Sequence, residues 1–154
     1  MTIKVKKLLH VGVRVDPDEN SINEANTFYS DLLGLQIDTQ RPEINGIPGF
    51  WINISDGDRT QQIHVMGATG ASPVSRSKTE DPTRMHIAFA TESIEEARTL
   101  LGKKRVKYWE YGGLVGQASQ QIFFEDPCGN MIDLQEDEHK KSSAGQLGRA
   151  PPLH

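Results

Sequence analysis

Three histidines and one aspartate are the residues of this sequence whose types and surroundings best fit a chemical site. His10, His64, His86 and Asp133 each stand between two apolar residues in a short stretch that reads as a strand. Because successive side chains of a strand point to opposite faces, the four polar side chains are expected to share the polar face of a sheet. Imidazole and carboxylate together suit Zn, Ni, Fe, Mn or Co. The pattern therefore predicts a divalent metal site.

The concentration of histidines in strands is the informative part of this pattern. A single strand histidine is more often a buried, hydrogen-bonded residue than a ligand, and only five histidines occur in the chain. The other two, His139 and His154, fall in a polar C-terminal stretch and are expected to be solvated.

The elements that must position these residues occur in a duplicated order, which predicts an α+β fold. A strand, a helix and three strands follow one another twice, and His10 and His86 take the same place in the two first strands, 76 residues apart. We expect a first βαβββ module over 1–66, a linker or lid over 67–82, a second βαβββ module over 83–137 and a flexible tail over 138–154.

Helical spacing of apolar residues marks one helix in each module. The first is expected over Ser21–Leu33, with Ser21 and Glu24 as a capping box and Gly34 as a left-handed C-terminal cap. The second is expected over Ser93–Leu101 and ends at Gly102.

Composition excludes several classes of protein. The chain has 154 residues, a net charge of −4 and a single cysteine. Without a basic excess a nucleic-acid partner is not expected, and one cysteine cannot form an internal disulfide. The N-terminal residues do not resemble a signal peptide, and no apolar run approaches membrane-spanning length. We expect a cytoplasmic protein with a small-molecule partner and no membrane partner.

Further polar-face residues are candidates for substrate binding. Arg14 shares the face of His10, and Gln62 shares the face of His64. Arg14 or Lys107 could hold a substrate carboxylate or phosphate, while Trp51 or Trp109 could line an apolar pocket. The alternative readings are a solvated charge for Lys107 and ordinary sheet or interface aromatics for the two tryptophans.

The chain resembles the vicinal oxygen chelate superfamily, which includes glyoxalase I, methylmalonyl-CoA epimerase, bleomycin-resistance proteins and extradiol dioxygenases. The resemblance covers about residues 7–137. It is most specific in the Phe-Tyr-x-x-Leu-Leu-Gly-Leu motif of residues 28–35 and in the Asp-Pro-Cys-Gly-Asn-Met-Ile-Asp-Leu motif of residues 126–134. These motifs are typical of the fold and say little about the reaction.

The resemblance implies that two βαβββ modules pair their mixed sheets around a U-shaped cleft, with metal ligands from the first and last strand of each module. His10 and His86 then match the first-strand positions, and His64 and Asp133 match the last-strand positions. Both last-strand positions are usually Glu in glyoxalase I, so this chain departs from that enzyme at each of them. Glu136 is a second candidate carboxylate, although it shares the parity of the apolar residues around Asp133.

The shared chemistry of the superfamily implies a reaction on two neighbouring substrate oxygens, with a base that moves a proton beside a carbonyl. Asp133 or His64, where not coordinated, is the candidate base. Within the superfamily, the chain most resembles glyoxalase I-like isomerases and lyases, which implies a reaction on a small α-hydroxycarbonyl or a thiol adduct.

Other functions of the superfamily stay open at this stage. They are a non-haem Fe(II) dioxygenase, a thiol transferase of the fosfomycin-resistance type, and a metal-free binding protein of the bleomycin-resistance type. A homodimer is expected, and the ligands could come from one chain or from two.

Overall fold

The computed structural model describes residues 1–137, so the predicted tail over 138–154, with His139 and His154, lies outside the described residues. The chain folds as two βαβββ units. The first consists of β1 (Val5–Val15), α1 (Glu19–Thr27), β2 (Gln36–Ile37), β3 (Gly49–Ser55) and β4 (Asp58–Gly67). The second consists of β5 (His86–Thr91), α2 (Ile94–Lys103), β6 (Tyr108–Gly112), β7 (Gln120–Glu125) and β8 (Met131–Glu136). The predicted α+β class is confirmed.

The two units join edge to edge into one eight-stranded mixed sheet with the order β2-β3-β4-β1-β5-β8-β7-β6. The two first strands, β1 and β5, pair antiparallel at the centre. Each also pairs in parallel with the last strand of its own unit, β1 with β4 and β5 with β8. The four strands that carry the predicted ligands are therefore consecutive in the sheet.

Period-two alternation separates the residues of the two sheet faces. One face of the second unit is covered by α2, whose Ile94, Ala97 and Leu101 pack with Ile122 and Leu134. The opposite face carries a second cluster, made of Trp109, Tyr111, Phe123 and Met131. The His86 ring contacts Phe123 edge to face at 6.1 Å between centroids, so the histidines lie on this second face.

The two helices differ from each other in packing and from the prediction in their caps. The first helix begins at Glu19 because Asp18, rather than the predicted Ser21, is the N-cap and accepts from the Ser21 backbone N–H. It changes to a π-helical turn over Phe28–Leu32 before Gly34 takes the expected left-handed conformation. No residue of α1 is buried, whereas α2 buries three.

The connection between the units is fastened to the sheet by a buried carboxylate. Asp81 accepts hydrogen bonds from the Ser72 backbone and hydroxyl and from the Thr83 backbone and hydroxyl. Arg14 of β1 donates to the same carboxylate at 3.1 Å. Through these bonds the segment predicted as a linker or lid is held against β1.

Neither of the helices in residues 1–137 is long and apolar enough to cross a membrane.

Candidate metal centre

The two first-strand histidines meet at the centre of the sheet. Gly12 of β1 pairs with His86 of β5, and His10 pairs with Ala88, so both imidazoles point to the same face. Their Nε2 atoms lie 3.0 Å apart, and both residues are buried. A Cβ at position 12 would lie 2.4 Å from the His86 ring, so only glycine leaves room for this imidazole.

Burial keeps both imidazoles in the neutral form that binds metals. Burial, together with the neighbouring imidazoles and Arg41, holds the pKa of His10 well below its usual value. Burial likewise lowers the pKa of His86 to about 4. The Nδ1 atom of His86 lies 2.6 Å from the Arg84 carbonyl and donates to it, which leaves the lone pair on Nε2.

Asp133 of β8 reaches the same place because it pairs with Ala88, two residues beyond His86 in β5. Its Oδ2 atom accepts hydrogen bonds from Gln121 at 2.7 Å and from Gln135 at 2.8 Å. Its Oδ1 atom is buried without a hydrogen-bond partner among residues 1–137. Complete burial raises the pKa of this carboxyl to about 7, against the opposing effect of the two amide hydrogen bonds.

One potential ligand atom each from His10, His86 and Asp133 lies within 4.8 Å of the others. A buried carboxylate oxygen without a partner is costly unless a cation or a proton satisfies it. Two neutral imidazoles and this oxygen form a donor set that suits a divalent transition metal. These three side chains therefore fit a metal ion, and they come together within one chain. Glu136 is not part of this group.

His64, the remaining predicted ligand, is close to the other three but is held differently. Its ring stacks on Trp51, its cross-strand neighbour in β3, with centroids 3.7 Å apart and planes inclined by 10°. It lies 6.0 Å from the His10 ring centroid and outside the group of three. Burial, followed by the electrostatic effects of His86 and Arg41, lowers the pKa of His64 to about 3, so this imidazole is uncharged.

Two spaces adjoin the candidate metal centre. A small chamber of about 20 Å³ is lined by His10, His64 and His86, and this is room for about one ion or water molecule. A cleft of about 970 Å³ lies beside it, lined by Trp51, Arg41 and the 42–50 segment. His64 lines both spaces and so stands at their junction.

Arg41 is a residue of the cleft that sequence reasoning missed. Its guanidinium lies over the Trp51 ring at 4.5 Å, which continues the stack of Trp51 on His64. It donates twice to Gln62 Oε1, at 2.8 and 2.6 Å. No periodic signal marks Arg41, because it lies in an irregular segment between β2 and β3 whose path the sequence pattern does not define.

The predicted substrate-binding residues are dispersed. Trp51 lines the cleft, whereas Gln62 is buried beneath Arg41 and donates to Asp38 and Asn53. Arg14 donates to Asp81, Thr83 and the Gly70 carbonyl. Lys107 is exposed just before β6, and Trp109 packs in the second core cluster. Because Arg14, Lys107 and Trp109 line neither the cleft nor the chamber, the geometry gives no support to their predicted substrate contacts.

The fold and the buried histidine-carboxylate group define a class of protein. The model of the glyoxalase, bleomycin-resistance protein and dioxygenase superfamily matches residues 7–134, and the chain belongs to this superfamily. No curated protein matches the chain in sequence.

Solved structures with the same fold include methylmalonyl-CoA epimerases. The enzyme from Mycobacterium tuberculosis is 24% identical, with a TM-score of 0.65, and the match covers 93% of this chain and 95% of that one. A Streptomyces coelicolor methylmalonyl-CoA epimerase in complex with 2-nitronate-propionyl-CoA is 17% identical, with a TM-score of 0.60 and coverage of 96% and 100%. A hypothetical protein from Bacillus halodurans is 18% identical, with a TM-score of 0.61 and coverage of 96% and 98%. These likenesses show the fold alone.

Proposed function

We propose that this protein is a divalent-metal-dependent enzyme of the vicinal oxygen chelate type that moves a proton beside a substrate carbonyl. The observation that carries the proposal is the convergence of His10, His86 and the unpartnered Asp133 oxygen within 4.8 Å. A divalent ion bound there would act as a Lewis acid on two neighbouring substrate oxygens. The reaction we propose is an isomerisation or lyase reaction, as in glyoxalase I, on an α-hydroxycarbonyl, a thiol adduct or a CoA ester.

His64 is the residue that we propose as proton acceptor when Asp133 is a metal ligand. It lies next to the three ligands, outside their group, and lines both the chamber and the cleft. Burial lowers the pKa of its imidazole to about 3, so the ring is uncharged and has a free lone pair, but in the resting site it is a weak base. Negative charge developing on a neighbouring substrate would favour the protonated imidazole and so raise its basicity during the reaction.

The cleft is the proposed site for the remainder of the substrate. Its volume of about 970 Å³ exceeds what a three-carbon substrate needs and lies at the upper end of ordinary ligand pockets. Trp51 offers an apolar wall and Arg41 a positive charge. A substrate with a small reacting end and a long polar or anionic tail, such as an acyl-CoA, fits this combination.

The test is metal-dependent exchange of the substrate proton with solvent. Protein stripped of metal and reloaded with Ni, Zn, Mn or Co is incubated in D₂O with a hemithioacetal or with an acyl-CoA panel, and deuterium uptake beside the carbonyl is followed by NMR. We expect uptake that requires metal and is lost in His86→Ala. Absence of uptake with every ion and every substrate would contradict the proposal.

A non-haem Fe(II) dioxygenase is a second candidate, favoured by one specific observation. The group of three consists of two imidazoles and one carboxylate, which is the donor set of many non-haem Fe(II) oxygenases. Anaerobic loading with Fe(II), followed by oxygen-uptake measurements on a catechol panel, separates this candidate from the isomerase. Oxygen uptake without deuterium exchange would favour the dioxygenase, and the metal-free binding protein would show neither reaction.

We also propose that two copies of the chain associate. Apolar side chains remain exposed around the π-helical turn, with 48% of Phe28, 70% of Leu32 and 51% of Leu33 accessible. Exposed apolar clusters of this kind are typical of interaction sites. Sedimentation velocity on the full chain is expected to show a dimer that Leu32→Glu weakens. A monomer at all concentrations would contradict the association.

A further inference from the structure

Gln121 of β7 has one end engaged with the metal centre and the other end without a partner. It is 4% exposed, and its Nε2 atom donates to Asp133 Oδ2 at 2.7 Å. Its Oε1 atom is buried and accepts no hydrogen bond from any residue in 1–137. Buried polar atoms without partners are rare in folded proteins and call for an explanation.

Gln121 lies at the wall of the small chamber beside the histidines, which suggests a partner for its free oxygen. Gln121 lines the small chamber together with His10, His64 and His86, and that chamber has room for about one ion or water molecule. Because Nε2 donates to Asp133, the amide oxygen is the end of Gln121 that is left for another partner. Two neighbouring residues, Gln121 and Asp133, thus each hold one buried oxygen that no described donor satisfies.

Gln135 offers an internal comparison. It donates to the same Asp133 Oδ2 atom, at 2.8 Å, but it is only half-buried and does not line the chamber. Its own oxygen is not among the buried atoms without a partner in the described part of the chain. The hydrogen bond to Asp133 therefore accounts for the buried polar contacts of Gln135. In Gln121 it accounts for Nε2 but not for Oε1.

We propose that Gln121 is the fourth residue of the metal centre, where its Nε2 positions Asp133 and its Oε1 is an oxygen ligand of the ion. The inference rests on the proposed function, since it requires a metal ion at His10, His86 and Asp133. Amide oxygens are ordinary ligands of hard divalent cations. A second oxygen ligand favours Mn²⁺ and Fe²⁺, which accept more oxygen ligands than Zn²⁺ does. Gln121→Leu is therefore expected to weaken Mn²⁺ binding more than Zn²⁺ binding.

The experiment compares Gln121→Leu with the matched control Gln135→Leu in the full chain. Metal-free proteins are titrated with Mn²⁺ and Zn²⁺ against a chromophoric chelator, and the visible absorption of the Co²⁺ form reports coordination number. Loss of an outer-shell partner typically lowers metal affinity 10–100-fold. We expect Gln135→Leu to lower Mn²⁺ affinity about tenfold with an unchanged Co²⁺ spectrum, at the low end of that range. Gln121→Leu is expected to exceed that loss and to shift the spectrum toward lower coordination.

A third variant, Gln121→Glu, separates the ligand from the positioning contact. It keeps an oxygen at the same reach but, in its ionised form, cannot donate to Asp133, so a Co²⁺ spectrum like that of the wild type supports direct ligation. Equal losses in Gln121→Leu and Gln135→Leu with unchanged spectra would overturn the inference and leave the metal centre intact. Failure of the wild-type protein to bind any of the three ions would overturn the proposed metal centre itself. Far-UV circular dichroism and urea midpoints confirm that the compared variants are folded.

Discussion

Two of the three convergent side chains, His86 and Asp133, are held at the candidate metal centre by identifiable local contacts. Gly12 leaves space for His86, the Arg84 carbonyl fixes the His86 ring, and paired glutamines hold Asp133. The alternation of apolar and polar residues predicts that these side chains share a face, because that depends only on strand parity. It does not predict which of them touch, since contact depends on strand order and register.

His64 illustrates this limit. Its parity predicts the same sheet face as His10, and in the structure its ring stacks on Trp51, its partner across the β3–β4 pair. Cross-strand register is set by the turn between the strands and by packing, and single-sequence periodicity contains neither. The cleft residue Arg41 is not predicted for a different reason, because it lies in an irregular segment between β2 and β3 that has no periodic pattern.

Substitution of His86 and of His64 is expected to distinguish a metal ligand from a residue that only lies next to the ligands. His86→Ala removes a proposed metal ligand and should lower metal affinity more than about 100-fold, beyond the range typical of outer-shell changes. His64→Ala removes a ring that lies outside the group of three, so we expect a loss of less than about tenfold. Isothermal titration of the metal-free proteins measures both. Equal losses would show that His64 is a ligand.

Gly12→Ala is expected to disrupt the candidate metal centre although it replaces none of the proposed ligands. The added Cβ would lie 2.4 Å from His86 Cε1, so the imidazole must move. We expect metal affinity to fall and the free energy of unfolding to drop by about 1–3 kcal/mol, as for overpacked sites. Gly102→Ala in α2 is the control, because nothing lies within 4 Å of its added Cβ. Urea titrations that give the two variants equal stability would contradict this prediction.

At the scale of elements, the two helices have unequal roles although their sequence patterns look alike. Apolar spacing predicts each helix and its inward face, but not whether another element covers that face. The second helix packs on the sheet through Leu101, which is 4% exposed, whereas the π-helical turn after α1 leaves Leu32 70% exposed. The change to π-helical geometry and the Asp18 cap also lie beyond what residue spacing indicates.

This asymmetry predicts unequal effects of two leucine substitutions. Leu101→Ala leaves a cavity between α2 and the sheet, and we expect a loss of about 2–4 kcal/mol in the free energy of unfolding. Leu32→Ala removes a largely exposed side chain and should change it by less than about 0.5 kcal/mol in the monomer. Urea denaturation at low protein concentration measures both. A large effect of Leu32→Ala would show that the turn is buried in an assembly.

At the scale of the whole molecule, pairing of β1 with β5 unites the two units. The connection between them is fastened by Asp81 and the residues that donate to it, Arg14, Ser72 and Thr83, which we call the Asp81 cluster. The duplicated order of elements predicts two similar units, and the histidine pair correctly marks their equivalent strands. Whether the two units join into one continuous sheet depends on long-range strand pairing, which local sequence does not encode. Arg14 reaches Asp81 through a long-range contact of the same kind, whereas Thr83 and Ser72 lie two and nine residues from Asp81 in the sequence.

The Asp81 cluster predicts a pH dependence of stability. Burial raises the pKa of Asp81, but hydrogen bonds from Ser72 and Thr83 outweigh it and hold the pKa below the usual 3.8. A lowered pKa in the folded state means that the carboxylate stabilises the fold above pH 3.8, and that this contribution is lost as the pH falls through the folded-state value. Asp81→Asn should cost about 2 kcal/mol at pH 7, as for hydrogen bonds to a charged group.

Urea denaturation of both proteins at pH 7 and pH 3 tests the sign of this effect. The difference between them should shrink on acidification, because the other carboxyls contribute equally to both. A difference that is constant or grows at pH 3 would show that the Asp81 charge does not stabilise the fold.

The most direct test of the metal centre is anomalous diffraction from crystals of the protein loaded with Mn or Zn. We expect one strong peak per chain at about 2.0–2.2 Å from a ring nitrogen of His10, a ring nitrogen of His86 and an oxygen of Asp133. A peak elsewhere, or no peak together with no metal in elemental analysis of the dissolved crystals, would contradict the account.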